Sequence, residues 1–288
     1  MMSGIEEGLR VSDVARFWED GFLVIDNVLP TAHVERLRSA CEEPLLLEEA
    51  ARAGQEQRTV HLLELTAKHS AFLELARHTA IVELLRPLLG PDIQLQHSKL
   101  AAQARTSGTG GFTWHQDYPF FPHTNTDLVA VMVMLDDATP ENGCMSMVRG
   151  SHKLGPLDHQ KDGSFTGACQ VSSLWEDHPE NVVPITPRVG GISLHHCLTL
   201  HGSGPNLSGR SRRGIVFQYR AADAFQLADS VFTDTGLVVS GRRLDQVRCA
   251  MGTVHLPRRT GARPFGSAWN QEGALARQLN SAEQAEDR

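Results

Sequence analysis

The sequence predicts a mainly β protein with flanking helices and a jelly-roll core. After Pro91, short β-rich runs follow one another, and glycine, proline, asparagine and aspartate separate them. Before Pro91, apolar residues recur instead with the period of a helix. Short strands at this spacing are typical of sandwiches and barrels. The five clearest runs cover residues 93–102, 128–135, 144–148, 191–198 and 214–220.

The N-terminal part of the chain is predicted to form helices around one strand. A short helix over 14–19 precedes a strand over 22–28. Pro30 opens a second helix, whose apolar stripe continues until Pro44 interrupts it. A third helix is expected over 71–89, where a Gly-Pro pair ends it.

The domain organisation is expected to be simple, because the sequence has no repeat and no clean linker. We expect one domain over residues 1–288. Within it, residues 1–90 form a mostly helical support, 91–225 form the β core, and 226–288 form a C-terminal extension. The weakly patterned stretch 153–187 inside the core is expected to be a long functional loop or lid.

Composition excludes several classes of function. The formal net charge of −7 argues against a nucleic-acid partner, since phosphate binding needs clustered lysine and arginine. The five cysteines have no C-x-x-C spacing, so we expect reduced core thiols in a cytoplasmic protein. No apolar run approaches the roughly 20 residues that cross a bilayer, so we expect no membrane partner. The sequence leaves the oligomeric state open.

His115 and Asp117 form an H-x-D motif. On an extended segment, residues i and i+2 point to the same side, so an imidazole and a carboxylate can reach one ion. Two histidines and one carboxylate, with open positions beside them, form the geometry that suits Fe(II) oxygenases. The motif therefore predicts two protein ligands of an iron whose open positions receive O2 and a co-substrate.

A second element supplies the third ligand and a cation. His201 follows a strand-like run, Gly204-Pro205-Asn206 provides turn residues, and Arg212 begins a returning strand. This hairpin brings Arg212 back near His201. A guanidinium can bind a carboxylate with two parallel hydrogen bonds, which lysine cannot match. The far end of a dicarboxylate co-substrate chelating the metal requires such a partner.

Three other interpretations compete with this one. His195 and His196 could replace His201 as the distal ligand, although the spacing to Arg212 favours His201 and leaves the pair for packing or contacts with the ligands. A zinc-dependent hydrolase could use the same triad. A non-catalytic binding or sensor protein could have the same fold. Arg212 and the missing general-base motif argue against the hydrolase, and the intact triad argues against the non-catalytic protein.

Four motifs occur together in the order found in one known family. They are F-W-E-D-G-F-L-V-I at 17–25, H-Q-D at 115–117, L-D-D at 135–137 with E-N-G-C at 141–144 and G-S-H-K at 150–153, and H-G-S at 201–203 with Asn206 and Arg212. On these motifs, the chain resembles the phytanoyl-CoA dioxygenase family over nearly all of its length.

The resemblance implies a double-stranded β-helix, the jelly-roll core of cupin-like oxygenases. It implies His115, Asp117 and His201 as iron ligands, and Arg212 as the partner of the distal carboxylate of 2-oxoglutarate. The reaction then consumes O2 and 2-oxoglutarate, releases succinate and CO2, and oxidises a small molecule. Family substrates include acyl thioesters, amino-acid derivatives, phosphonates and secondary metabolites, and the sequence does not choose among them.

The resemblance also implies further contacts with 2-oxoglutarate. Ser203 could add a hydrogen bond beside Arg212, and Gln116 falls on a position that contacts the co-substrate in some members. Lys99, on the strand before the metal motif, would face the same pocket. The chain departs from the family at Val133, where some members have a tryptophan. This departure concerns the far wall of the co-substrate pocket.

Asp117 also predicts the reaction type. Relatives that halogenate replace this carboxylate by a small residue, which opens a coordination position for chloride. Because the chain keeps Asp117, the resemblance implies hydroxylation of an unactivated C–H bond, or another oxidation, rather than halogenation.

Five side chains are expected near the substrate. Tyr118, Phe120 and Phe121 follow the metal motif as a pocket rim would, although ordinary aromatic core fits the same pattern. His97 precedes the metal motif on a predicted strand and is compatible with the pocket wall or with the core. Trp175 lies in the expected lid.

Overall fold

A computed structural model of the chain describes residues 8–44, 46–47, 59–103, 111–228, 232, 235–250 and 252–257. Its strands form two antiparallel sheets and a small hairpin. None of the helices in these described ranges is long and apolar enough to cross a membrane. The strands are β1 (Phe22–Ile25), β2 (Thr59–Leu63), β3 (Ile93–Gln103), β4 (Phe112–His115), β5 (Leu128–Met134), β6 (Met145–Val148), β7 (Gln160–Lys161), β8 (Ser164–Phe165), β9 (Val182–Pro184), β10 (Ile192–His196), β11 (His201–Ser203), β12 (Arg212–Ala221) and β13 (Leu237–Ser240).

The larger sheet, here called the major sheet, has the strand order β1-β10-β5-β12-β3-β13, with β2 also paired to β3. The smaller sheet, here called the minor sheet, has the order β4-β11-β6-β9. The remaining strands, β7 and β8, form a hairpin of their own. Neighbouring strands in each sheet are often far apart in sequence, as in a jelly roll.

The central strand of the major sheet is buried on both faces. All residues of β5 are buried. Val129, Val131 and Val133 belong to the apolar cluster that also holds the helix residue Phe17. Because successive side chains of a strand alternate, Met132 points to the opposite face. This alternation gives the sheet one face against the helices and one face toward the minor sheet.

Apolar side chains of the helices pack in the same cluster as those of the major sheet. Val34 and Leu37 of the second helix, and Leu75 and Leu85 further along the chain, are buried in it. Burial of each such side chain contributes roughly 1.5–3 kcal/mol. The helices are α1 (Val11–Asp20), α2 (Thr31–Cys41), α3 (Leu65–Lys68), α4 (Ser70–Ala76), α5 (Thr79–Leu89) and α6 (Ser173–Glu176).

The predicted helix over 71–89 is wrong in one respect, because the structure divides it into α4 and α5. Nδ1 of His78 accepts a hydrogen bond from the backbone N–H of Ala80, 3.3 Å away, and so caps the start of α5. His69 caps α4 in the same way, at 3.0 Å from the N–H of Ala71. The apolar period continues across the break, and a side-chain cap formed by histidine has no common sequence signal.

The stretch 153–187 contains more regular structure than the expected loop. It includes the β7–β8 hairpin and α6, and its end forms β9, which pairs with β6 at the edge of the minor sheet. Its role as a lid remains a prediction. Most of the expected extension over 226–288 lies outside the described residues.

Candidate metal and co-substrate site

The two histidines of the predicted triad come from paired strands of the minor sheet. His115 ends β4, His201 begins β11, and the two residues are direct partners in the antiparallel register. Their rings are buried and lie with their centroids 4.0 Å apart. Strand pairing therefore brings together two side chains that are 86 positions apart in the sequence.

Asp117 completes the cluster from the turn that follows β4. Its Oδ1 lies 3.9 Å from Nε2 of His115 and 3.9 Å from Nε2 of His201. One ligand atom from each residue falls within 4.8 Å of the others, which is close enough for a single ion. Two imidazoles and one carboxylate on one side of an ion leave the other positions open, as iron oxygenases require.

The backbone fixes the tautomer of both histidines. Nδ1 of His115 donates to the carbonyl of Thr113, and Nδ1 of His201 donates to the carbonyl of Thr199, each at 2.8 Å. A proton on Nδ1 means that Nε2 is the unprotonated nitrogen, which can coordinate a metal. Burial lowers the pKa of His201 to about 4, so its ring is neutral at physiological pH.

The same environment keeps Asp117 ionised. Burial alone would raise the pKa of this carboxyl, but a hydrogen bond from His195 and the nearby His201 and Lys99 lower it well below its usual value. Burial lowers the pKa of His115 well below its usual value, and the neighbouring His201 adds to this effect. A neutral pair of imidazoles beside a carboxylate is the protonation state that binds a divalent cation.

The cluster opens into a cavity between the two sheets. The major sheet contributes the cation Arg212 to its lining, and the minor sheet and the turn after β4 contribute the three potential metal ligands. Apolar side chains such as Met132 and Met145 form part of the wall between them. The full lining consists of Lys99, Ala101, Phe112, His115, Asp117, Met132, Met145, His195, His201, Gly202, Arg212, Val216 and Gln218.

Arg212 is suited to hold a carboxylate. It is 2% exposed, and its Nη1 donates to the carbonyl of Gly143. Among the residues that the structure describes, Nε of Arg212 has no hydrogen-bond partner, and no carboxylate is among the groups that shift its pKa. Burial lowers its pKa to about 10, so it is still charged at neutral pH. A buried charge without a counter-ion is costly, so a dicarboxylate co-substrate fits this site.

Lys99 also lines the cavity, as the sequence predicts, and burial lowers its pKa. Ser203 lies next to the lining, where its Oγ accepts a hydrogen bond from the backbone N–H of Phe112 at 3.2 Å. Val133 is part of the apolar cluster under the helices, so the wall at this point of β5 is formed by Met132. Val133 therefore does not form the far wall of the co-substrate pocket, and the expectation that it would is wrong.

Gln116 lies outside the cavity lining. Its Nε2 donates to the carbonyls of Gly155 and Leu198 at 3.0 and 2.7 Å, and its Oε1 accepts from the N–H of Leu157 at 2.8 Å. Its backbone N–H donates to Nε2 of His159 at 2.9 Å. Gln116 thus ties the start of the 153–187 stretch to the metal motif, and the structure does not bring it to the co-substrate pocket.

The three aromatic residues after the metal motif form a small core beside it. Tyr118, Phe120 and Phe121 are buried together, and the hydroxyl of Tyr118 donates to the carbonyl of His123 at 2.6 Å. Phe120 packs edge-on against His115, with the centroids 5.8 Å apart. The structure places Phe120 next to a metal ligand and places Tyr118 in the core.

His97 and Trp175 lie away from the cavity lining. His97 stacks on Phe232, with the ring centroids 4.7 Å apart, and burial lowers its pKa to about 3. Trp175 stacks on Trp114 at 5.3 Å. Since Trp114 precedes His115 on β4, it lies on the opposite face of the strand, so Trp175 covers the outside of the minor sheet.

Two of the lining residues that the sequence did not predict have polar side chains, His195 and Gln218. Nε2 of His195 lies 3.2 Å from Oδ2 of Asp117, and Nε2 of Gln218 is buried without a partner among the described residues. Period-two alternation from Arg212 along β12 identifies Gln218 as a residue of the same face. His195 was considered as a metal ligand or a neighbour of one, and the sequence alone did not separate it from His196.

The chain is similar to known proteins over much of its length. The family profile described as Phytanoyl-CoA dioxygenase (PhyH) matches residues 17–214. A relative from Stutzerimonas stutzeri, named probable alpha-ketoglutarate-dependent hypophosphite dioxygenase, is 39% identical over 174 residues, which are 58% of this chain and 60% of the relative. The peroxisomal phytanoyl-CoA dioxygenase of Homo sapiens is 29% identical, covering 76% of this chain and 71% of the relative.

A solved structure gives the same result for the fold. The non-haem alpha-ketoglutarate-dependent carbocyclase of nogalamycin biosynthesis superposes with a TM-score of 0.65 and 27% identity. The match covers 76% of this chain and 87% of the carbocyclase. Alpha-ketoglutarate is another name for 2-oxoglutarate. The mainly β jelly-roll core that the sequence predicts is confirmed.

Proposed function

Because the chain belongs to the phytanoyl-CoA dioxygenase family, we propose that it holds iron on His115, Asp117 and His201 and oxidises a small molecule with O2 and 2-oxoglutarate. One observation carries the proposal: the three potential ligands and the buried Arg212 line the same cavity. Both relatives are named as dioxygenases, and one of them as alpha-ketoglutarate-dependent, which supports the enzyme class and the cofactors that the sequence predicts. They favour an oxygenase over a zinc hydrolase or a non-catalytic protein.

Bound iron supplies the activation of O2, coupled to the oxidative decarboxylation of 2-oxoglutarate to succinate and CO2. The side chains of the protein position the ion and provide negative charge beside it. His115 and His201 present Nε2 because Nδ1 of each ring is held by its own backbone. Asp117 adds one negative charge to the site and is kept ionised there. These three side chains bind one side of the ion and leave the other side for small ligands.

Arg212 orients the co-substrate. Its guanidinium binds the distal carboxylate of 2-oxoglutarate, so that the keto-acid end of the molecule points toward the triad. Met132 and Met145 exclude water from the space between, which strengthens the ion pair. Lys99 lies in the same lining and adds positive charge for an anionic ligand. A dicarboxylate is thereby favoured over a neutral molecule of the same size.

The substrate is proposed to be small and rich in oxygen atoms. Gln218 lies six residues beyond Arg212 on β12, or about 20 Å along the strand, so a five-carbon co-substrate held by Arg212 does not reach it. The amide of Gln218 is therefore available to a second ligand that accepts a hydrogen bond. The relative named for hypophosphite makes phosphorus oxyanions the first class to test. Carboxylates with an unactivated C–H bond are the next class.

The reaction is proposed to be hydroxylation without halogenation, as Asp117 implies. Asp117 would hold the iron together with His115 and His201, and would take the position that halogenating relatives leave open for chloride. We expect oxygenated product and stoichiometric succinate, and no chlorinated product at high chloride. Mass spectrometry under labelled oxygen measures both products. Chlorinated product from the unmodified enzyme would contradict the assignment of Asp117.

The proposal is tested by turnover on a panel of defined compounds. Hypophosphite, phosphite, short phosphonates, ectoine and short carboxylates are incubated with the Fe(II) protein, 2-oxoglutarate and O2, and succinate is measured. The wild-type chain should form succinate with at least one compound, and the His201→Ala variant should form none. Oxygen uptake without succinate would exclude 2-oxoglutarate as the co-substrate. The cytoplasmic location remains a prediction.

A further inference from the structure

We propose that His195 is a positioning residue that holds one oxygen of Asp117 and thereby leaves only the other oxygen for the metal. This inference rests on the proposed iron site. His195 belongs to β10 of the major sheet, whereas Asp117 follows β4 of the minor sheet. The contact between them therefore joins the major sheet, which carries no metal ligand, to the turn after β4.

The two carboxylate oxygens of Asp117 have different neighbours. Oδ1 lies 3.9 Å from Nε2 of both His115 and His201, where one ion can reach all three atoms. Oδ2 lies 3.2 Å from Nε2 of His195. An ionised carboxylate can only accept a hydrogen bond, so Nε2 of His195 carries the proton and donates it.

His195 itself lies in the wrong place for a fourth ligand. Its ring centroid is 4.5 Å from that of His201, so it is near the cluster. Yet among the described residues only His115, Asp117 and His201 place their ligand atoms within 4.8 Å of one another. With its Nε2–H directed at Oδ2, His195 also has no lone pair on that nitrogen to offer.

Holding Oδ2 has a consequence for the open side of the ion. A carboxylate turns easily about its terminal bond, and both of its oxygens can bind one metal when neither is held. Bidentate binding would occupy a position that 2-oxoglutarate or O2 needs. A hydrogen bond to Oδ2 stabilises the one-oxygen mode, and partners of this kind are known to tune metal affinity.

Two substitutions separate the hydrogen bond from the volume of the ring. His195→Phe keeps a flat ring but removes the donor, whereas His195→Gln places an amide N–H at a reach similar to that of Nε2. Ser193→Ala is the matched control, because Ser193 lies two residues earlier on the same face of β10 and its buried Oγ has no partner among the described residues. All variants are made in the full chain.

The measurements are the affinities for Fe(II) and Co(II), and the visible absorption of the Co(II) protein, which reports the coordination geometry. We expect His195→Phe to weaken metal binding by about 10- to 100-fold and to change the Co(II) spectrum. His195→Gln should restore most of both properties, and Ser193→Ala should match the wild type. Thermal melts of the metal-free proteins show whether each variant is folded.

Three results would overturn the inference. Wild-type affinity and spectrum in a folded His195→Phe protein would remove His195 from the site. An equal loss of metal affinity in the Phe and Gln variants would mean that the shape of the His195 ring, and not its N–H, is required. A loss as complete as that of His201→Ala would make His195 a ligand. By contrast, a wild-type chain that binds neither metal would contradict the proposed function itself, which keeps the two failures distinct.

Discussion

The two sheets of this protein differ in the length and burial of their strands and in the residues that they contribute to the site. The major sheet contains the longest strands, β3 and β12, and its strands β5 and β10 are buried along their whole length. The minor sheet is made of strands of three or four residues with many partly exposed positions. The metal ligands come from the minor sheet and the turn after β4, while Arg212 comes from the major sheet.

One wall of the cavity is therefore held by long strand pairings, and the other wall by short ones. Backbone hydrogen bonds and packing under the helices hold Arg212, Val216 and Gln218 in a fixed row on β12. His115 and His201 depend on one short pairing and on local contacts such as those of Gln116. Substitutions in the minor sheet should therefore change chemistry more than stability, and substitutions in the major sheet should change both.

The largest effect is expected from His201→Ala, which tests the minor sheet. This variant should lose Fe(II) binding and turnover, because two ligands hold the ion far less well than three. Its unfolding temperature should stay close to that of the wild type, since the main apolar core lies on the other sheet. Metal titration and thermal melts provide the measurements.

His196→Ala serves as the comparison for that variant. His196 is buried between Trp18 and His152 and contacts no metal ligand of the triad. It should lower stability while leaving metal affinity nearly unchanged. The reverse pattern, with metal binding lost in His196→Ala and kept in His201→Ala, would show that the third ligand is wrongly assigned.

The next effect concerns the stability of the major sheet toward acid. Burial lowers the pKa of His97 on β3 and of His196 on β10 to about 3. Below pH 6.5 the unfolded chain binds protons on these residues, and the folded chain does not until about pH 3. The free energy of unfolding should therefore fall with decreasing pH, by about 1.4 kcal/mol per unit for each histidine.

Urea denaturation at pH 7, 6 and 5 measures this slope. A His196→Gln variant should have a shallower slope by the contribution of one histidine, even if its stability at pH 7 is lower. A slope identical to that of the wild type would mean that His196 is protonated in the folded chain, and the major sheet would then be less closed to solvent than its burial indicates.

A smaller effect is expected from Arg212→Lys, which tests the major-sheet side of the cavity. Replacing the planar fork by a point charge should cost roughly 1.5–3 kcal/mol, or about one to two orders of magnitude in affinity for 2-oxoglutarate. Titration of the Fe(II) protein with 2-oxoglutarate, followed by its metal-to-ligand absorption band, measures the dissociation constant.

Arg213→Lys is the matched control for Arg212→Lys. Arg213 is the next residue of β12 and faces the other side of the sheet, where its Nε donates to Asp136 at 2.9 Å. It should bind 2-oxoglutarate with wild-type affinity. An unchanged dissociation constant in Arg212→Lys, or an equal loss in both variants, would remove Arg212 from the co-substrate site.

The smallest effect is expected from Ser203→Ala on the minor sheet. Loss of the hydrogen bond from the N–H of Phe112 should destabilise the chain by about 1 kcal/mol. The affinity for 2-oxoglutarate should change less than in Arg212→Lys, because the hydroxyl lies beside the lining and not in it. A larger loss of co-substrate affinity than in Arg212→Lys would instead support direct contact between Ser203 and 2-oxoglutarate.

The sequence predicted the parts of the site that local rules control. The i, i+2 spacing placed His115 with Asp117, and the turn after His201 indicated that Arg212 returns to the same region. The five predicted β runs correspond to β3, β5, β6, β10 and β12.

Contacts between distant strands were harder to foresee. No local pattern shows that β4 pairs with β11, or that His195 on β10 of the major sheet contacts Asp117. Gln116 illustrates the limit of resemblance: its place in the motif suggested a ligand contact, yet four hydrogen bonds direct it to the backbone and to His159. The break at His78 was missed because the apolar period continues through it.

The backbone contacts of the metal-binding histidines have a consequence for how such a site can arise and change. In His115 and His201, Nδ1 donates to the carbonyl two residues earlier, and His159 makes the same contact with Leu157. In His159 the freed Nε2 accepts the N–H of Gln116 instead of a metal. A histidine on this kind of backbone is oriented by a hydrogen bond to its own main chain. A metal ligand can therefore be gained or lost during evolution by a single substitution, and a designer could graft one by copying three residues of backbone.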